Sequence, residues 1–310
     1  MPDNPETAAV AAALAEQHTD RDFDHVHSGK VREIFADKNG GTLVLVATDR
    51  ISAYDKVMKE RIPGKGKVLN LMSAFWFDWF EDVPNHLIDS NFLPEGEFAG
   101  RASLVQRTSP IPMECIVRWL ITGSMWSAFK KADEVDGIKV VQGIEVPASM
   151  QESETFPEPL FTPSTKAEVG HDEALTEEEA RALLMRWDGE DRFDLLKRYS
   201  TNLFEQARDY ARERGIILAD TKTEWGLHEG GVLLIDEIFT PDSSRFSFVE
   251  DYEVGQKLVC QDKQILRDWL DEQGWDRESP PPALPDELIE RIKGVYTDMY
   301  ERITGNSLPV

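Results

Sequence analysis

The chain has 310 residues, 41% hydrophobic and 30% charged, and its 34 Lys and Arg against 58 Asp and Glu leave a formal net charge of −24. That length supports a sizeable core and favours two domains over one. The acidity argues against nucleic acid and anionic membranes as partners, because both require an electropositive face.

No apolar run approaches the ~18 residues of a membrane span. The Ala-rich, amphipathic N-terminus, residues 1–18, lacks the basic leader of a secretory signal, so the expected location is the cytoplasm. Cys115 and Cys260 are the only cysteines, each among apolar neighbours, and both read as packing residues. Six histidines are scattered without the spacing of a zinc site. The acidic excess fits a surface adapted to high salt, where self-repulsion is screened.

In chain order, residues 27–35 read as a turn entering a strand, residues 37–41 as a hairpin turn, and residues 42–47 as the partner strand. Ser28-Gly29 before the alternating cations Lys30 and Arg32 suits phosphate oxygens, although the same tripeptide serves equally as an ordinary turn. Asp49, Arg50, Ser52 and Asp55 cluster at a strand end, where sites and turn chemistry both occur. Gly64-Lys65-Gly66-Lys67 reads as a flexible basic loop, followed by Leu69, Met72, Phe75, Trp76 and Trp79 at helical, core-forming spacing.

Leu104-Val105 and residues 113–120 read as strands separated by a proline-containing crossover at residues 109–112. Arg118 precedes Thr122-Gly123-Ser124, a turn opening a helix over residues 125–131; this can grip an anion, or Ser124 can simply cap the helix. Residues 132–175 are expected to form a long ordered loop, and Thr176 with Glu179 a capping box. A helix over residues 191–214 presents Leu195, Tyr199, Leu203, Ala207 and Tyr210 on one side and ends at Gly215. Residues 261–270 begin a further helix, a proline linker spans 279–285, and residues 285–303 form a terminal helix.

The most informative stretch is residues 218–238, a charged hairpin turning at His228-Glu229-Gly230-Gly231. Alternation places Asp220, Lys222 and Glu224 on one face, with Asp236 and Glu237 arriving beside them on an otherwise apolar return strand. Carboxylates around one ammonium suit Mg²⁺ carrying phosphate oxygens; cross-strand ion pairs on an exposed strand are the simpler alternative.

Several segments, in order, resemble one family, SAICAR synthetase. They are residues 28–35, 49–55, 112–118 with Thr122-Gly123-Ser124, 161–168, Asp220-Thr221-Lys222 with Glu224, Asp236-Glu237, 241–245 and 262–270. Thr223 and Trp225 stand where the family usually has phenylalanine, and Ser247 where an aromatic residue often occurs.

The resemblance implies an α+β fold of two lobes: a kinase-N-lobe-like antiparallel-sheet domain over residues 1–112, and an ATP-grasp-like α+β domain over residues 113–310 that ends in a C-terminal helix. The implied activity is ATP-dependent joining of L-aspartate to the carboxylate of carboxyaminoimidazole ribonucleotide, through an acyl phosphate, by a monomer.

On the same resemblance, Ser28, Gly29, Lys30, Arg32, Met113, Glu114 and Lys222 would bind ATP, and Glu224 and Asp236 would hold Mg²⁺. Asp220 and Lys222 would complete the phosphate site as catalytic groups. Arg118, Ser124 and Arg245 would grip the ribotide 5′-phosphate, while Asp49, Arg50, Ser52 and Lys166 would face the substrate and aspartate. Two other readings compete: a two-lobed small-molecule kinase acting on a polyol or inositol-phosphate-like acceptor, and a non-enzymatic acidic nucleotide- or metal-binding protein.

Overall fold

The computed structural model describes residues 5–166, 172–260 and 263–309. Ala167, Glu168, Gly170, His171, Gln261 and Asp262, which fall within stretches singled out above, lie outside the described residues. The fold is mixed α and β with antiparallel sheets, and the chain divides into two compact units.

The first unit opens with α1 (Pro5–Gln17) and the strands β1 (Phe23–Ser28), β2 (Arg32–Asp37) and β3 (Thr42–Ala47). Next come a short hairpin, β4 (Arg50–Ala53) and β5 (Lys56–Arg61), the helix α2 (Lys65–Trp79), and the strands β6 (Leu87–Asp89) and β7 (Ala102–Gln106). The five-stranded sheet has the order β1-β2-β3-β7-β6. Its core joins Val10 and Leu14 of α1 to Phe35, Val44 and Val46.

The pleat of β2 turns Glu33, Phe35 and Asp37 inward together. A buried carboxylate therefore shares a face with a core phenylalanine and needs partners.

Residues 64–67 are not a flexible loop. Asp49 accepts the amides of Gly64 (3.2 Å) and Gly66 (2.9 Å), which fixes the start of α2, and the Lys65 side chain is buried. The mechanism is helix-start capping: an aspartate oxygen satisfies amides that have no intrahelical acceptor.

The second unit contains β8 (Ser109–Pro110), β9 (Met113–Leu120), α3 (Gly123–Lys131), β10 (Glu134–Val135), β11 (Ile138–Val141), β12 (Ile144–Pro147), β13 (Thr155–Phe161) and β14 (Ser164–Thr165). It continues through α4 (Glu177–Asp188), α5 (Phe193–Arg212), β15 (Ile216–His228), β16 (Gly231–Ile235) and β17 (Ser244–Phe248). Its seven-stranded sheet runs β13-β9-β15-β16, with β14 also on β9 and with β8 and β17 also on β15.

Residues 132–175 thus differ from the expected long loop, because β10-β11-β12 form a separate three-stranded sheet. Asp136-Gly137 and Gln142-Gly143, all at positive φ, make its tight turns. Such turns match the strand twist, and an Asp-Gly pair between alternating apolar residues was the available signal.

The capping box at Thr176 and Glu179 is present. On α5 the buried face is Phe193, Leu196, Ser200, Leu203, Phe204, Ala207 and Ala211, leaving Leu195, Tyr199 and Tyr210 half-buried at its margin. Cys115 and Cys260 are free and buried, as packing residues should be.

The chain then completes the first unit with α6 (Gln264–Glu272) and α7 (Asp286–Thr304). Residues 240–242 and 263–309 group with residues 5–108, whereas the sequence division at 112/113 places them in the second domain. The physical reason is a buried tie: Asp242 pairs with Lys65 of α2 (2.8 Å) and Lys263 (2.9 Å), and accepts the Tyr296 hydroxyl of α7 (2.7 Å). None of the described helices is long and apolar enough to cross a membrane.

Candidate functional site

The charged hairpin forms as its alternation predicts: β15 and β16 pair antiparallel from Glu224↔Ile235 to His228↔Gly231. On its other side β15 pairs with β9, placing Asp220 opposite Arg118 and Lys222 opposite Ile116, while β17 brings Arg245 opposite Asp220. β14 sets Ser164 opposite Glu114. The pairings gather two charged arrays along β15.

The first array centres on Lys222. Its ammonium donates to Glu114 Oε1 (2.6 Å) and Glu224 Oε1 (3.1 Å). Lys166 pairs with the other oxygen of Glu224, and the Ser164 hydroxyl donates to Glu114 Oε2 (3.2 Å).

Burial pushes the Glu224 carboxyl up, but the ammonium groups of Lys222 and Lys166 outweigh it and hold it at about 2. Burial opposes charge on Lys222, yet Glu224 and Glu114 raise its pKa above the usual lysine value. For Glu114 burial wins, and its carboxyl is raised despite Lys222. The array is therefore two carboxylates of unequal acidity sharing one firmly charged lysine.

The second array centres on Asp220. Arg118, buried in β9, donates from Nη1 to Asp220 Oδ2 (3.0 Å) and from Nε to Thr162 Oγ1 (2.9 Å), and its Nη2 reaches Ser124 Oγ at 3.5 Å. Arg245 pairs with the same Asp220 oxygen. Asp220, on the same face as Lys222, is thus clamped between two guanidinium groups, because it sits directly opposite both arginines in the ladders.

At the start of α3, Gly123 has φ +57, and a Cβ there would lie 2.8 Å from the Arg245 guanidinium carbon. The guanidinium therefore packs on bare backbone beside free helix-start amides, a combination suited to a phosphate dianion.

The opposite face of β15 holds a buried hydrogen-bonded chain through Thr223 and Trp225. Trp225 Nε1 donates to Ser200 Oγ (3.1 Å), Ser200 meets Thr223 Oγ1 (3.0 Å), and Thr223 donates to the Cys115 carbonyl (3.3 Å).

In the first unit, Ser28 ends β1 and residues 29–31 turn the chain into β2, so Lys30 lies at a hairpin tip; it pairs with Asp55. Asp49 and Arg50 have structural engagements. Asp49 joins Arg101 (2.9 Å) as well as capping α2, and Arg50 donates to the carbonyls of Gly29 (3.2 Å) and Arg32 (3.1 Å). Ser52 is buried in β4.

Thr162 and Ser164 were not singled out individually; their signal was membership of the 161–168 segment, and strand pairing alone reveals what they touch.

As to metal, no group of three or more His, Cys, Asp or Glu suited to holding an ion occurs among the described residues. The donors that do fit are the ionised Glu224 and the half-buried Asp236, which follows the residue paired with Glu224 and turns out of the strand at φ +66. Hard Mg²⁺ takes one or two carboxylates together with phosphate oxygens, so these two side chains suit an ion that arrives with a nucleotide.

Comparison with known proteins gives consistent matches. Residues 25–282 match the model of the family described as SAICAR synthetase. The chain is 46% identical over 291 residues to the phosphoribosylaminoimidazole-succinocarboxamide synthase of Desulfotalea psychrophila, covering 90% of this chain and 95% of that one.

Among solved structures, the SAICAR synthase of Saccharomyces cerevisiae complexed with SAICAR superposes with a TM-score of 0.79 at 38% identity, covering 92% of this chain and 96% of that one. A SAICAR synthetase in complex with ADP shares the fold at 22% identity, with a TM-score of 0.67 and coverage of 92% and 100%.

Proposed function

This chain belongs to the SAICAR synthetase family, and from that premise we propose how its charged groups divide the work of the reaction. The enzyme is an ATP-dependent ligase of purine biosynthesis, joining L-aspartate to the carboxylate of carboxyaminoimidazole ribonucleotide to give SAICAR, ADP and phosphate.

A carboxylate is a poor electrophile. Its oxygen must first take the γ-phosphoryl group, with ADP leaving on the bridging oxygen. The aspartate amine then attacks the acyl carbon, phosphate departs with its electron pair, and the amine loses a proton. Little of this is covalent work for the protein, so positioning and charge neutralisation dominate.

Lys222, charged and steered by Glu114 and Glu224, meets the phosphoryl oxygens. Half-buried between those two carboxylates, its charge is screened less than it would be in open water. Lys30 and Arg32 with the Ser28-Gly29 backbone contribute to phosphate binding, and the Met113-Glu114 strand contributes to nucleotide binding. Glu224 and Asp236 would hold Mg²⁺, which would neutralise triphosphate charge, and Lys166, held beside Glu224, would face the substrate carboxylates.

Arg118, Arg245 and Ser124 take the ribotide 5′-phosphate. Asp220 holds the two guanidinium groups together so that neither folds away before the anion arrives. A cytoplasmic monomer is the expected working form, which light scattering on the purified protein checks.

The observation that carries the reading is the placement of a lysine–carboxylate array and a two-arginine array along the single strand β15. A small-molecule kinase would use the first and leave the second idle. The test is ADP release with the imidazole carboxylate, with and without aspartate: steady turnover should require aspartate, and aspartate-independent turnover would favour a kinase.

A further inference from the structure

The inward-facing Glu33 is completely buried, and every element around it leads to the turn between β1 and β2. Glu33 Oε2 accepts from the hydroxyls of Ser28 (2.6 Å) and Thr7 (3.1 Å) and contacts His25 Nε2 (2.9 Å). Its Oε1 pairs with Arg50 Nη1 at 2.7 Å. Arg50 also donates from Nε to Thr48 Oγ1 (3.1 Å), and its Nη2 bridges the Gly29 and Arg32 carbonyls, the two ends of the turn. The Val31 carbonyl is taken by the amide (3.0 Å) and hydroxyl (2.9 Å) of Thr48.

A turn that binds phosphate must keep its carbonyl oxygens from the anion, since lone pairs facing phosphate oxygens repel them. Here the carbonyls of Gly29, Val31 and Arg32 are all engaged by Arg50 and Thr48. Glu33 fixes the guanidinium plane, and α1 reaches the same centre through Thr7 and through Glu6, which pairs with Arg61 (2.9 Å) and approaches Arg50 (3.7 Å). The helix α1 precedes residue 25, where the family match begins.

We propose that Arg50 is the positioning residue of the phosphate turn and that α1, acting through Thr7 and Glu33, is part of that support. Arg50 therefore serves nucleotide binding from behind the turn, in place of the substrate contact expected from sequence. The proposal rests on the reading that the Gly29–Arg32 turn meets ATP, and its test separates the two.

Binding of a non-hydrolysable ATP analogue with Mg²⁺ is measured by calorimetry on the full chain for Arg50→Lys, Thr7→Val and Lys30→Ala, together with the KM of the ribotide. Arg50→Lys keeps the charge but loses the fork, and should weaken nucleotide binding about tenfold or more, because bonds to a charged donor are lost. Thr7→Val should weaken it about threefold, and both should leave the ribotide KM within about twofold.

Nucleotide affinity unchanged in both variants, or equal losses for nucleotide and ribotide, would overturn the proposal. Should Arg50→Lys fail to fold, Thr7→Val and Ser28→Ala decide alone, and an unchanged nucleotide affinity in both overturns it. If Lys30→Ala leaves nucleotide affinity unchanged, the reading of the turn itself fails instead.

Discussion

Replacing Gly123 by alanine tests the proposed ribotide-phosphate site most sharply. The backbone there has φ +57, and the added methyl would meet Cζ and Nη2 of Arg245 at 2.8 Å and Nη1 at 2.9 Å. Left-handed backbone costs a non-glycine residue about 1–2 kcal/mol. The clash falls on the end of a flexible side chain, so Arg245 should retreat by about half an ångström or more to ordinary contact, carrying its guanidinium away from the bound anion.

Loss of a charge-assisted hydrogen bond to phosphate, about 1.5–3 kcal/mol, corresponds to roughly a 10- to 150-fold rise in the ribotide dissociation constant. The backbone term alone should lower the melting temperature by only about 2–4 °C. The assay pairs steady-state KM values for ribotide and ATP with thermal unfolding. A ribotide KM within twofold of wild type despite the expected loss of stability would refute the argument, as would ATP and ribotide KM values rising together.

Asp242→Asn should destabilise the first unit by about 3–5 kcal/mol, because it strands the buried Lys65 charge. Burial opposes the Asp242 charge, but Lys263 and Lys65 outweigh it and hold its carboxyl below its ordinary 3.8. The stability it contributes is therefore present above pH 3.8 and lost as pH falls through the lower folded value, so urea midpoints of variant and wild type should converge only in strong acid.

Glu224→Gln should abolish most ADP formation at any Mg²⁺ concentration yet cost only about 1 kcal/mol of stability, since its lysine partners remain partly solvated. Unchanged activity at saturating Mg²⁺ would remove Glu224 from the metal site. With a charge of −24, added KCl should raise the melting temperature by screening self-repulsion, and a flat or falling response would refute that account of the acidity.

Periodicity was enough to locate most elements. The β15–β16 hairpin, β3 over residues 42–47, the capping box and the terminal helix all follow from local patterns whose cause is local: pleat alternation, turn residues and caps. The three short strands at residues 134–147 were missed because each is too brief to show a period, and only their tight turns announced them.

The amino-acid sequence by itself determined which residue types stand at the site: the Asp220, Lys222 and Glu224 alternation, the glycine before Lys30, and Arg118 ahead of a helix start. Which of them pair was decided by tertiary structure alone. Asp220 belongs with two arginines because β9 and β17 flank it in register, Glu114 meets Lys222 across β9 and β15, and Arg50 lies behind the turn of Gly29. Ladder register joins residues over a hundred positions apart, and a one-residue slip would exchange every partner; nothing local encodes that choice.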